Sequence, residues 1–228
     1  MKKVLFIFFL IILYTIIITK KIDQAFIEKI DLNLKEHEMG ITFISLDDSK
    51  SLLINKDQTK ILVILEYLNS RKINDILKIF DVNKLDYILM SNDYSIDLKT
   101  DNCEIIVNKE LEIADIEFKA IKNIIQIEYL EHNFCVYSGL NPTKLNNECH
   151  YVYFLNINKD VTINDSTDMI FYNEGTNSDF LEPVFDKWVD IYMIKKDYYV
   201  TLKLDEDTYD TITLPLTNNN IQTGKNKV

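Results

Sequence analysis

The chain has 228 residues, enough for one medium domain or two very small ones. Its 47% hydrophobic and 27% charged content excludes a disordered or fibrous chain, and 4 Gly with 3 Pro exclude collagen-like and linker-like ones. Acidic residues outnumber basic ones 36 to 25, a formal charge of −11, so the surface repels nucleic-acid phosphates unless its cations cluster on one face.

The chain opens with Met1-Lys2-Lys3, then an apolar run from Val4 to Thr19, closed by Lys20-Lys21. Sixteen helical residues would cover about 24 Å, short of a hydrocarbon core near 30 Å, with the flanking lysines snorkelling to the headgroups. No polar stripe interrupts the run, so residues 1–21 are expected to form a transmembrane helix rather than a core helix. The exit, Ile-Ile-Thr-Lys-Lys, lacks the small-residue pair of a cleavage site, which favours a retained signal anchor over a removed peptide. The expectation is a single-pass protein of the cell membrane, with residues 22 onward extracytoplasmic. Its partners would be the membrane, through this helix, and another envelope protein. Setting aside Lys2, Lys3, Lys20 and Lys21 leaves 21 basic against 36 acidic residues, a charge near −15. With no basic stripe, no nucleic-acid partner is expected.

Residues 22–40 read as a juxtamembrane connector. From Ile41 the pattern alternates as a strand to Leu46, followed by a turn at Asp47-Asp48-Ser49-Lys50 and a returning strand at Ser51–Ile54. A second turn, Lys56-Asp57-Gln58-Thr59, precedes a continuous apolar strand, Ile61–Leu65, of the kind buried on both faces. A helix is predicted over residues 68–80, with Ile73, Ile76, Leu77 and Phe80 on one stripe, and a buried strand over Leu85–Met90. Further strands are predicted at 104–107, 117–120, 124–128, 134–137, 151–155 and 169–172. A helix at 178–185 leads to strands at 188–194, 199–204 and 211–214. Helices between strands and no internal linker give one domain over residues 41–216, with a frayed tail over 217–228.

Three cysteines, Cys103, Cys135 and Cys149, contain no CxxC pair and cannot all bridge within one chain. A Cys135–Cys149 disulfide and a set of small buried hydrophobes are both compatible with the spacing. His37, His132 and His150 stand far apart, without HxH or HExxH, so no zinc motif is present. Cys149 and His150 are adjacent, and neighbours on a strand face opposite ways, so at most one could serve a metal. No Walker loop, GxSxG or GxGxxG occurs. The aromatic set Phe171, Tyr172, Phe180, Phe185, Trp188, Tyr192, Tyr198 and Tyr199 reads as core packing ahead of a peptide or glycan surface.

The order of strand, polar turn, strand, buried strand, helix and strand resembles the opening of the metallo-β-lactamase fold, and more narrowly the hydrolase domain of ComEC-type competence proteins. Val82–Asp97 is similar to that family's "iDyliltHpHaDH" segment, Phe134–Leu140 to its "vLLtGD" strand, and Asp168–Thr176 to its "aDvlkvpHHGS" stretch. The resemblance implies an α/β fold, an αββα sandwich, over residues 41–214. It also implies a hydrolase built around two metal ions that make hydroxide near neutral pH.

Where that family places its ligands, this chain has Asn92, Asp93, Tyr94, Ile96 and Asp97 in the first loop. The second motif reads Gly139-Leu140, and the third reads Asn173-Glu174-Gly175-Thr176. Ile96 has no lone pair, Leu140 removes the bridging carboxylate, and Asn92 is a poor ligand. The resemblance therefore implies a degenerate site with no catalytic or metal-ligating residue, no cofactor, and an interaction or structural role at the cell envelope. Asp93, Asp97 and Glu174 form one alternative, a rebuilt carboxylate site for a single Ca²⁺ or Mg²⁺ supporting phosphodiester or ester hydrolysis; a solvated acidic loop is the plainer reading. An unrelated extracytoplasmic binding domain is the other.

Overall fold

A computed structural model describes residues 12, 14, 31–46, 49–66, 70–90, 103–107, 110–121, 124–137, 149–155, 165–174, 189–195, 198–205 and 209–215. Two seven-stranded mixed sheets stack face to face. The first sheet contains β1 (Met39–Leu46), β2 (Ser49–Lys56), β3 (Thr59–Ile64), β4 (Tyr87–Met90) and β5 (Glu104–Val107), together with β13 (Tyr198–Leu204) and β14 (Tyr209–Pro215). Its order is β14-β13-β1-β2-β3-β4-β5, antiparallel as far as β3 and parallel beyond it. The second sheet contains β6 (Leu111–Ile113), β7 (Ile116–Ile121), β8 (Ile124–Tyr129), β9 (His132–Tyr137), β10 (Tyr151–Phe154), β11 (Met169–Asn173) and β12 (Asp190–Ile194). Its order is β12-β11-β10-β9-β8-β7-β6, with β9 to β12 parallel and the rest antiparallel.

Strand periodicity divides each apolar run between two faces. Ile41, Phe43, Leu52, Ile54, Ile61 and Val63 point between the sheets and meet Phe134, Val136, Tyr153, Met169 and Phe171 from the other side. At the centre Phe43 stacks on Phe171 at 4.3 Å between ring centroids and meets Tyr153 edge-on at 5.0 Å. The alternate residues are buried as well. Ile44, Leu53, Leu62 and Ile64 lie on the outer face of the first sheet, while Cys135, Tyr137, Val152, Phe154 and Ile170 lie on the outer face of the second.

One α-helix longer than a single turn is described, α1 (Ser70–Ile79), which lays Ile73 and Leu77 on the first sheet. It ends in a Schellman arrangement: Val82 N–H reaches the Leu77 carbonyl at 2.7 Å and Asp81 N–H that of Lys78 at 3.2 Å. Asp81, at φ 55°, fills the left-handed position usually given to glycine. The same economy of glycine marks the β6–β7 hairpin, whose two-residue loop is Ala114 (φ 51°) and Asp115 (φ 62°).

Two expectations are corrected. The αββα sandwich is not what forms: the described residues are mainly strand, with little helix and two mixed sheets. The reason is local. The β1–β2, β2–β3, β6–β7, β7–β8 and β8–β9 connections are two residues long and the β13–β14 connection four, leaving no room for a helix, and β3 to β4 is the one described crossover that holds one. The transmembrane signal anchor is not supported either, because among the described residues no helix is long and apolar enough to cross a membrane. The apolar run was already short for a hydrocarbon core; within it only Ile12 and Tyr14 are described, both helical and exposed. The helix expected at 178–185 lies outside the described residues.

Candidate functional site

The parallel register sets Tyr137, Phe154, Tyr172 and Met193 level across the second sheet. The chain therefore leaves β9, β10, β11 and β12 along one edge. In the first sheet, Ile64 and Met90 are level. Tyr129 donates its hydroxyl to the His37 carbonyl just before β1, and His132 contacts the Asp205 carbonyl just after β13, so β9 starts beside the starts of β1 and β3 and the ends of β9 and β3 share the other edge. The segments singled out in the sequence begin here, after Met90, Tyr137 and Tyr172. Of their residues the structure describes Asn173 and Glu174; Asn92, Asp93, Tyr94, Ile96, Asp97, Gly139, Leu140, Gly175 and Thr176 lie outside the described residues.

Asn173 is 3% exposed and works as a strut. Its Oδ1 accepts the Tyr153 hydroxyl at 2.9 Å, and its Nδ2 donates to the Leu155 carbonyl at 3.3 Å. Both ends of the amide are thereby spent on the scaffold. Burial is the main force holding the Tyr153 phenol far above its ordinary pKa, with the Asn173 bond acting the other way. An imidazole-ligated metal does not fit this position: the side chain there offers no basic nitrogen, and its oxygen is already occupied. Glu174 is exposed, and its backbone N–H bonds the Ile194 carbonyl at 2.9 Å. Among the described residues no three His, Cys, Asp or Glu side chains converge on a point.

The other candidate ligands also have structural duties. Cys135 and Cys149 form a disulfide with 5.9 Å between Cα atoms, tying β9 to the start of β10. His150 Nδ1 accepts the Asn133 backbone N–H at 3.2 Å. His132 contacts the Tyr151 hydroxyl through Nδ1 at 3.0 Å and the Asp205 carbonyl through Nε2 at 2.5 Å, joining the second sheet to the first. Phe171, Tyr172, Tyr192 and Tyr199 are buried, in keeping with core packing.

Sequence reading missed a cleft at the opposite edge of the first sheet. It has a volume of about 450 Å³ and lies between residues 31–34 and the end of α1, over Asn55 and Lys60. An Asn at the end of an apolar strand, directly opposite a Lys across a hairpin, was the available signal.

No known family model matches the chain, and no curated protein sequence matches it.

Proposed function

We propose that this chain is a non-hydrolytic, hydrolase-like module with an interaction or structural role at the cell envelope, its body outside the cytoplasm. The observation that carries the reading is the double use of the Asn173 amide. At the position where the resembled family has a histidine, this side chain braces Tyr153 and Leu155. The Cys135–Cys149 bridge supports the placement, since disulfides persist in oxidising compartments.

The test is hydrolysis of a bis-aryl phosphate by the purified chain with Mn²⁺ or Zn²⁺, beside metal analysis after dialysis. No turnover and no stoichiometric ion are expected. Turnover abolished in a variant replacing Asp93, Asp97 and Glu174 together would establish the rebuilt carboxylate enzyme instead.

A further inference from the structure

The cleft at the far edge is built around Asn55 and Lys60. Asn55 on β2 stands directly between Gly40 on β1 and Lys60 on β3. Gly40 lets residues 31–34 lie down on the sheet: a Cβ there would meet both Leu34 methyls at 3.3 Å. Residues 31–34 thus form one wall, and Phe80 with Asp81, beyond α1, forms the other. Asn55 is 3% exposed, yet its Nδ2 finds no hydrogen-bond partner among the described residues. Buried amide donors are nearly always satisfied, so this one is poised for an acceptor that enters the cleft. Beside it Lys60 is half-buried, and the bond its ammonium makes is a long one, 3.4 Å to the Asp57 carbonyl. Burial lowers its pKa from the ordinary 10.5, against the pull of Asp86 and Asp57.

Charge selects the ligand. Two donors at the floor, one of them cationic, call for an anionic oxygen and repel a metal ion. Asp31, also lining the cleft, disfavours a multiply charged anion while favouring an ammonium. Asp31 spends one oxygen on the Asn33 backbone N–H at 2.9 Å. A purely apolar guest would leave the Asn55 donor unmet.

We infer that this cleft binds a small zwitterion of the amino-acid class, its carboxylate on Asn55 Nδ2 and Lys60 Nζ and its ammonium toward Asp31. The site is independent of the edge that holds Asn173, since Lys60 is the second residue of β3 and Glu66 follows its end. Hydrolytic inactivity and zwitterion binding therefore stand or fall separately.

The experiment is calorimetric titration of the full chain with L-glutamate, L-leucine and L-lysine, and with acetate and inorganic phosphate. At least one amino acid should bind saturably at equimolar stoichiometry, with acetate and phosphate at least about tenfold weaker, the loss expected when one charged contact is missing. Asn55→Val should weaken binding about tenfold or more while raising the Tm of the ligand-free protein, because it removes an unmet donor. Lys60→Met should weaken binding similarly and decides the matter if the first variant does not fold. Absence of saturable binding by all three amino acids, phosphate or acetate binding as tightly as they do, or unchanged affinity in Lys60→Met would overturn the inference.

Discussion

The Tyr153 hydroxyl donates to Asn173 Oδ1 at 2.9 Å where neither side chain meets solvent, and this bond closes the edge at which the strands of the second sheet end. Removing one partner leaves the other buried and unmet, at a cost of about 1–3 kcal/mol. Asn173→Ala is expected to lower stability by that amount in urea unfolding, and Tyr153→Phe by about 1 kcal/mol. The double variant should cost less than the sum, because the second change removes a group already stranded. A neutral Asn173→Ala would show that the amide is not a strut and would remove the support for a non-hydrolytic edge.

Alkaline pH should unfold the protein through its tyrosines. Burial is the leading cause that raises Tyr151, Tyr153 and Tyr199 far above the ordinary value of 10.0, and it also raises Tyr129 and Tyr172. A phenol whose folded pKa is raised stays protonated in the fold while the unfolded chain releases its proton. The stability it contributes is complete below pH 10 and is lost as pH climbs above it. Tyrosinate absorbance of the buried set should then rise together with loss of the β-sheet circular dichroism. A single smooth ionisation with the β-signal intact would mean that these rings are reached by solvent.

Most strands were legible because their apolar residues are dense and β-branched. The expected strand at 104–107 matches β5, and the one at 41–46 falls within β1, to which Met39 and Gly40 are added. The three-residue β6 was missed, since Leu111-Glu-Ile113 is too short to show a period. Double-sided burial misled the choice of architecture. The run Ile61–Leu65 reads as a strand buried on both faces, which fits the helix-covered sheet that the resemblance implies, but burial on both faces does not specify what lies above it. Of the site, sequence could mark the positions of Asn173 and Glu174, but not the acceptor and donor that hold Asn173. Those depend on Tyr153 and Leu155, which a parallel crossover brings alongside. Nor could spacing choose between bridged and separate cysteines: the pairing needs Cys135 and Cys149 on the same outer face of the second sheet.

The disulfide gives a direct chemical test. With Cys135 and Cys149 bridged, denatured non-reduced protein should expose one titratable thiol, that of Cys103, and reduced protein should expose three. A bridge over a sequence separation of 14 constrains the unfolded chain by about 3 kcal/mol. Reduction, or the Cys135→Ala and Cys149→Ala double change, should move the urea midpoint down accordingly. Three titratable thiols without reductant would show that the chain folds without the bridge, and would remove its support for an oxidising compartment.

Thr42 and Thr201 offer the cleanest measure of how the first sheet tolerates polarity among apolar layers. They are direct neighbours across β1 and β13, both 0% exposed, with hydroxyls 2.9 Å apart. They alternate with Ile44 and Tyr199 on the outer face of the first sheet and are fully buried, so neither oxygen can exchange its partner for water. Thr42→Val alone or Thr201→Val alone should cost about 1–2 kcal/mol, chiefly from the hydroxyl left behind. The double change replaces a satisfied pair by two methyl groups of similar shape, so it should be near neutral or stabilising. The coupling in this double-mutant cycle, read from urea unfolding with equal m-values, should approach the sum of the two single costs. Additive single costs would mean that the hydroxyls do not bond each other, and that each has a separate partner.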